Sequence, residues 1–212
     1  MTKDRWIDDP LKELSFEDLE TLIEKSAFVN ATNDGLKRKR ANSYSSDYNG
    51  KNEREHGKFS ILNRYGSLGE GQFAPLFAKV RWFGYERYDI RRWNADGLPG
   101  KGITLTYEEL IILSRALDNF DFSKRYSLPI RKYEGGRTTA KFYHLISRIS
   151  YSKNKDVIWT KEANVIDWGY GQKVDLREWS SDYKKCHKGI CISIDELKRL
   201  KTFIDSILKK GR

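Results

Sequence analysis

The stretch YDIRRWNADGLPGKGITLTYEEL (residues 88–110) occurs a second time in altered form as VDLREWSSDYKKCHKGICISIDEL (residues 174–197). Both copies place an acid, an arginine and a tryptophan at alternate positions and continue into a Lys-Gly-Ile tripeptide. The matched pairs are Asp89 with Asp175, Arg91 with Arg177, Trp93 with Trp179 and, after one inserted residue, Lys101, Gly102 and Ile103 with Lys188, Gly189 and Ile190. Upstream, Ala78, Val80, Gly84 and Tyr85 pair with Ala163, Val165, Gly169 and Tyr170. The sequence therefore predicts two units with a repeat of about 85 residues.

Each copy has the same pattern of predicted elements, namely a first strand, a hairpin, a short fourth strand and a closing helix. The strands and the hairpin turn lie near residues 59–68, 84 and 103–106 in the first copy, and near 142–151, 169–171 and 190–193 in the second. Thr106 and Ser193 are expected N-caps of the helices, because Glu109 and Glu196 follow three residues later. The predicted fold class is α+β.

The third strand of each copy separates apolar from charged side chains, because neighbouring side chains in a strand point to opposite faces. Tyr88 and Ile90 share one face in the first copy, as do Val174 and Leu176 in the second, and we expect these faces to pack against the helices. The opposite faces carry Arg87, Asp89, Arg91 and Trp93 in the first copy and Lys173, Asp175, Arg177 and Trp179 in the second.

A sheet face of cations and rings suits single-stranded nucleic acid, because unpaired bases stack on rings while cations contact phosphates. Packing at the end of a strand is the alternative role for Trp93 and Trp179. The two aspartates are expected to orient Arg91 and Arg177 through charge-assisted hydrogen bonds.

The composition agrees with a nucleic-acid-binding surface. The 212 residues include 40 Lys and Arg against 30 Asp and Glu, which gives a net charge of +10, and 13% of the chain is aromatic. An ordinary basic surface is the alternative. Only three His occur and no acids have metal-site or acid–base spacing, so the sequence predicts no enzyme, no metal and no cofactor. Cys186 and Cys191 are too few for a disulfide framework, as expected in a reducing compartment.

The amino-terminal part differs from the rest of the chain. Residues 1–28 hold eight acids and four bases, a net charge of −4, and predict a short amphipathic helix over about 16–27. Residues 29–57 read as a flexible basic linker whose KRKR cluster (37–40) could contact phosphates, act as a nuclear import signal or be a solvated charge run. With no apolar run of roughly 18 residues and no signal-peptide pattern, an intracellular protein is expected.

At the repeated motif the chain resembles the carboxyl-terminal domain of the transcriptional coactivator positive cofactor four (p15), and especially its bacterial YdbC-like branch. The resemblance is good over residues 58–120 and looser over 140–210. It implies a curved four-stranded antiparallel sheet backed by a helix, dimerisation, and binding of single-stranded DNA across the sheets with little sequence preference.

The resemblance also implies nucleic-acid contacts in each copy. In the first copy they fall on Arg81, Phe83, Tyr85, Arg87, Arg91, Trp93 and Lys101. In the second they fall on Trp168, Tyr170, Lys173, Arg177, Trp179 and Lys188. Two departures weaken the second copy: Asp167 stands where Phe83 or Trp82 would align, and GKGITL becomes HKGICI.

The expected organisation is an acidic segment (1–28), a linker (29–57), a first unit (58–120), an inter-unit linker (121–139) and a second unit (140–212). Two units in one chain predict an intramolecular pseudo-dimer, with a homodimer also open. The expected partner is single-stranded DNA in transcription regulation, replication or repair, and RNA is the alternative. A protein-interaction adaptor that uses the acidic helix remains a rival. The expected location is the cytoplasm or nucleoid in a bacterium or phage and the nucleus in a eukaryote.

Overall fold

The structure is a computed structural model that describes residues 59–93, 99–135, 138–154 and 156–210. The predicted amino-terminal helix, the linker 29–57 and the KRKR cluster lie outside these residues. The described residues belong to one compact unit. Among them, no helix is long and apolar enough to cross a membrane.

Two antiparallel sheets and two helices make up the described fold, which confirms the α+β class. The first sheet has the order β1-β2-β3-β4 and is followed by α1; the second has the order β5-β6-β7-β8-β9 and is followed by α2. The elements are β1 (Phe59–Ser67), β2 (Leu76–Trp82), β3 (Tyr85–Trp93), β4 (Pro99–Leu105), α1 (Tyr107–Asp118), β5 (Arg131–Gly135), β6 (Thr138–Asn154), β7 (Val157–Asp167), β8 (Gln172–Ser180), β9 (Ile190–Ile192) and α2 (Ile194–Lys210).

The second sheet has five strands, so the prediction of four is wrong. The additional strand, β5, lies within the stretch 121–139 that was expected to be a linker. It pairs with β6 from Arg131 opposite Phe142 to Gly135 opposite Thr138. Tyr133, at its centre, is buried. Burial of this ring against the second sheet supplies the apolar contact that holds so short a strand in place.

Both helices begin at the predicted caps. The Thr106 hydroxyl accepts from the Glu109 N–H at 3.1 Å, and the Glu109 carboxylate accepts from the Thr106 N–H at 2.9 Å. Ser193 and Glu196 form the same reciprocal pair, at 3.1 and 2.6 Å. Each capping box provides acceptors for two backbone N–H groups that would otherwise lack partners at the helix start.

The predicted division of the third strands into two faces is confirmed. The apolar face of β3 packs with the stripe of α1, and the apolar face of β8 packs with the stripe of α2. These side chains belong to one continuous core: Tyr88, Ile90, Leu110, Leu113, Leu117, Val174, Leu176, Leu197, Leu200 and Ile204. The two sheets therefore do not have separate cores on their helix sides.

Polar contacts and rings also connect the two sheet–helix halves. Helix α1 packs on β6 as well as on β3 and β4. The Lys161 ammonium of β7 lies 2.8 Å from both carboxylate oxygens of Glu109 in α1. The Phe203 ring of α2 lies 6.4 Å from the Phe77 ring of β2. Arg92 of β3 donates to the Cys191 carbonyl of β9 at 3.1 Å.

The glycine of each Lys-Gly-Ile tripeptide permits a close approach between strands. A Cβ added to Gly102 would lie 2.6 Å from the Ile90 carbonyl oxygen and 2.8 Å from the Arg91 Cβ. At Gly189 a Cβ would clash in the same way with the Leu176 carbonyl and with Arg177. The repeated glycine therefore serves the packing of the neighbouring arginine stem.

Candidate nucleic-acid interface

The side of each sheet that faces away from the helices is strongly concave. In the first sheet, Phe59 and Trp82 are cross-strand partners at one end, and Trp93 lies at the far end of β3. The Phe59 ring nevertheless lies 5.0 Å from the Trp82 ring and 5.9 Å from the Trp93 ring. We call this side the concave face. Its curvature brings residues from opposite strand ends together and shields Ala78 and Val80 at its centre.

On the concave face of the first sheet, Asp89 orients Arg91, as the sequence predicted. The Arg91 Nε and Nη2 atoms donate to the Asp89 carboxylate at 3.0 and 2.9 Å, and Nη1 donates to the Gly100 carbonyl at 2.9 Å. The guanidinium lies 5.7 Å from the centre of the Trp82 ring. Burial raises the pKa of Asp89, although the hydrogen bond from Arg91 opposes that rise.

The second sheet repeats this arrangement. Arg177 donates to Asp175 at 2.9 and 3.0 Å and to the His187 carbonyl at 3.1 Å. Its guanidinium lies 4.7 Å from the centre of the Trp168 ring. Burial opposes ionisation, but the hydrogen bond and the charge of Asp175 outweigh it and raise the pKa of Arg177. With side chains of Arg91 and Arg177 only 14% and 15% exposed, both guanidinium groups direct most of their donors inward.

Trp179 is fully buried, so the prediction that it stacks on a base is wrong. Its ring lies 4.9 Å from Phe142, 5.1 Å from Tyr133, 6.0 Å from Trp168 and 6.1 Å from Tyr183. Tyr133 comes from β5 and Tyr183 from the loop 181–187, and together they cover the concave face. Of the two roles considered, packing is the one that Trp179 has. Trp93, in the first sheet, is only half-buried.

The tip of each central hairpin presents an exposed ring. Phe83 and Gly84 form the two-residue turn between β2 and β3 with positive φ angles of 49° and 87°. A positive φ is unfavourable for phenylalanine, and it holds the Phe83 ring 56% exposed at the tip. In the β7–β8 hairpin, Tyr170 is 88% exposed.

Glycines shape the second tip. Tyr170 lies between Gly169 and Gly171, whose φ angles are 95° and 85°. The Asp167 carboxylate accepts from the N–H groups of both glycines, at 2.6 and 3.0 Å. This acid therefore stabilises the turn, and the turn in consequence holds the tyrosine ring outward.

Strand register corrects the sequence comparison of the two hairpins by one residue. Asp89 pairs with Ala78 and Asp175 with Asn164, so the spacing is 86 residues at both positions (175 − 89 and 164 − 78). With the same spacing, Trp168 is the residue that corresponds to Trp82, and Asp167 corresponds to neither Trp82 nor Phe83. Sequence alignment of the repeats misses Trp82 because it spaces them by 85 residues as far as Tyr85 and by 86 only from Asp89, a change that falls within β3. Continuing the spacing of the two aspartates would have found it.

Arg81 does not join the other predicted contacts. It is the cross-strand partner of Glu86, and its guanidinium lies 3.3 Å from the Glu86 carboxylate. In both strands these residues alternate with the concave-face residues Trp82 and Arg87, so Arg81 points to the helix side. Asp167 has the same register position in the second sheet, opposite Gln172, and does not lie on the concave face either.

The other predicted contacts lie at the hairpins, on β4 or on the loop before β9. Tyr85 follows the first tip and is 36% exposed, and the Arg87 guanidinium lies 5.4 Å from its ring. Lys173, which has the register position of Arg87, is exposed after the second tip. Lys101 and Lys188 are exposed beside their close-packed glycines. The structure thus brings together Phe83, Tyr85 and Arg87 at one hairpin, and Trp168, Tyr170 and Lys173 at the other.

No family model matches the chain. An uncharacterized protein of Treponema pallidum (strain Nichols) is 31% identical over 83 residues, which cover 37% of this chain and 94% of that protein. This chain belongs to the family of that protein. The family member in Treponema is thus little longer than the matched stretch, whereas the match occupies just over a third of the present chain.

The two cysteines lie in the covered concave face and are unpaired. The Cys191 thiol donates to the Asp175 carboxylate at 2.9 Å, and burial, followed by the charge of Asp175, raises its pKa to about 12. Cys186 bridges to the backbone of Trp179. Within the described ranges there is no group of three or more His, Cys, Asp and Glu residues placed to hold a metal ion.

Proposed function

We propose that the protein binds single-stranded DNA with little sequence preference. The observation that carries this proposal is the pair of hairpin tips, each with a strongly exposed ring, Phe83 or Tyr170, held by a turn of unusual backbone conformation. A cation, Arg87 or Lys173, follows each tip at the same register position. Exposed rings provide stacking partners for unpaired bases, and adjacent cations provide phosphate contacts.

The proposed interface is centred on the hairpin tips, whereas the sequence predicts one centred on the concave faces. The concave face of the second sheet is covered, and both aspartate-bound arginines lie mostly inside. Rings at a hairpin tip favour unpaired bases over a duplex, because stacked base pairs have no free face along the helix. An RNA ligand would use the same contacts and is one outcome of the test.

We further propose that the two sheet–helix halves are tandem units of the positive cofactor four type, arranged as an intramolecular pseudo-dimer. The shared core, the paired capping boxes and the 86-residue register support this reading. The Treponema relative is little longer than the 83 matched residues, which supports the idea that one unit can occur alone in a chain. The biological role in this reading is to hold unpaired strands during transcription regulation, replication or repair.

We expect a single strand to bind more tightly than a duplex of equal length at the same salt concentration. Fluorescence anisotropy with labelled single-stranded DNA, duplex DNA and RNA measures this directly. The logarithm of the association constant should fall with the logarithm of salt, by about 0.7 for each phosphate contacted. Equal binding of duplex and single strand contradicts the proposal, and tighter binding of RNA changes only the ligand.

Removing either exposed tip ring should weaken binding without unfolding the protein. Phe83→Ala and Tyr170→Ala are each expected to cost about 1–3 kcal/mol of binding free energy if the ring stacks on a base. Phe73→Ala is the matched control, because Phe73 is 55% exposed in the loop between β1 and β2, away from the hairpin tips. A loss of affinity in the control as large as in the tip variants would argue against specific stacking.

A further inference from the structure

Two lysines lie directly opposite each other on the additional strand and its neighbour. Lys132 of β5 is the cross-strand partner of Lys141 of β6, and both are exposed. Directly opposite residues have Cβ atoms about 4.5–5.5 Å apart, and like charges at this separation destabilise a sheet. Neither lysine forms an ion pair with any residue that the structure describes. The pair is therefore a local concentration of positive charge that forms no ion pair within the described residues.

The two acids closest to this pair in register form no ion pair with it among the described residues. Asp167 is the partner of Lys141 on β7, but one of its carboxylate oxygens accepts from two turn N–H groups. Glu134 lies two residues after Lys132 on the same face of β5 and is exposed. Within the described part of the chain, neither acid lies within ion-pair distance of either lysine.

A third lysine adds to the same side of the sheet. The Tyr126 ring stacks on the His144 ring of β6 at 5.1 Å, and the Lys124 ammonium lies 5.3 Å from the Tyr126 ring. Val165 and Asp167, the β7 partners of His144 and Lys141, lie on the same face of that strand. His144 and Lys141 therefore lie on the same side of the sheet. Burial and then the charge of Lys124 lower the pKa of His144, so the imidazole is neutral at pH 7 and the charge comes from the lysines.

This lysine group adjoins the second hairpin tip. The partner of Lys141, Asp167, is the last residue of β7, and the turn with Trp168 and Tyr170 follows it at once. The carbonyl of Tyr126 accepts from the side-chain amide of Gln172, which begins β8 after the same turn. A strand stacked on the Tyr170 ring thus has the lysines next to it.

We propose that Lys124, Lys132 and Lys141, which we call the β5 lysine patch, bind the phosphates of a nucleic acid strand that leaves the Tyr170 tip. The inference rests on the proposed function and extends it. It gives the second half of the chain a phosphate-binding surface on its outer edge, since its concave face is covered. It also assigns a function to β5, the strand that the four-stranded sheet implied by the family resemblance does not contain.

The test compares two double variants that remove the same charge. Lys132→Gln/Lys141→Gln removes the opposed pair, whereas Lys153→Gln/Lys209→Gln removes two exposed lysines at the far end of β6 and near the end of α2. Binding to a labelled single-stranded oligonucleotide is measured over a range of salt. The first variant should show a log–log slope shallower by about 1.4, from two contacts at about 0.7 each, and roughly tenfold or more weaker binding near 0.1 M salt. The control should retain the parental slope.

A charge reversal separates binding from folding. Lys132→Glu places an acid opposite Lys141, so its melting temperature should equal or exceed the parental value while its affinity for the oligonucleotide falls. A variant that loses affinity together with thermal stability would overturn the proposal. Lysine acylation of the parental protein, read by mass spectrometry, should show Lys132 and Lys141 protected by the bound oligonucleotide and Lys153 unprotected. Equal labelling of all three would also overturn it.

The outcomes distinguish the patch from the function on which it rests. If both double variants bind the oligonucleotide as tightly as the parental protein does, the lysine-patch proposal is wrong and the hairpin-tip proposal stands. If the parental protein binds no single-stranded nucleic acid, both proposals fall.

Discussion

Replacing Trp179 by alanine is expected to lower the free energy of unfolding by about 3–5 kcal/mol, the range for a large aromatic side chain removed from a core. The side chain is fully buried, and four rings surround it, two from β5 and β6, one from the β7–β8 turn and one from the loop after β8. Because β5 reaches the concave face through Tyr133, the cavity should loosen that strand in particular. Denaturant unfolding followed by far-ultraviolet circular dichroism measures the loss.

Trp93→Ala is the matched variant, since Trp93 has the corresponding position in the first sheet and is only half-buried. It should be destabilised less than Trp179→Ala. If Trp179→Ala instead kept parental stability and lost nucleic-acid binding, its ring would contact bases and the packing role would be wrong. Measuring melting and binding on the same samples separates these results.

Replacing Lys161 by methionine is expected to destabilise the protein by about 3 kcal/mol, because it leaves a buried charge without its partner. Lys161 and Glu109 have side chains only 12% and 11% exposed. The ammonium also donates to the Thr104 carbonyl at 3.0 Å, and the Glu109 carboxylate accepts from the Ser150 hydroxyl. This pair joins α1 to the second sheet, so its loss should reduce the cooperativity between the two halves.

Two further variants test that interpretation. Lys198→Met removes an exposed partner of Asp195 and should change stability by less than about 1 kcal/mol. The double variant Glu109→Gln/Lys161→Met removes both buried charges and should recover part of the loss. A single Lys161→Met variant as stable as the parental protein would show that the pair contributes nothing to joining the halves. Urea unfolding at pH 7 provides all these values.

Local signals in the sequence predicted much of the fold. The capping boxes at Thr106 and Ser193 and the sorting of the third strands into two faces depend on residues within a few positions of one another. The same holds for the pairing of Asp89 with Arg91 and of Asp175 with Arg177, because residues two apart in a strand share a face. Such features follow from backbone geometry alone and do not depend on what packs above the sheet.

The sequence locates both hairpin turns correctly, but the predicted match of β2 to β7 is wrong by one residue. Gly84 and Gly169 both mark turns, but aligning them directly shifted β2 by one residue against its true counterpart. In a strand a shift of one residue moves every side chain to the opposite face. For that reason the sequence alignment matches Asp167 to Phe83 or Trp82, as a departure that weakens the second copy, and omits Trp82 from the predicted contacts.

Short-range spacing in the sequence predicts the α+β class, the helix starts, the apolar stripes and the residue types at the hairpins. The burial of Trp179, the addition of β5 to the second sheet and the pairing of Lys132 with Lys141 instead follow from contacts between segments far apart in the chain. Burial depends on which segments cover a face: Tyr133, 46 residues before Trp179 in the chain, and Tyr183, four residues after it, both lie against its ring. Alternation assigns a side chain to a face, but the burial of that face is set by long-range packing.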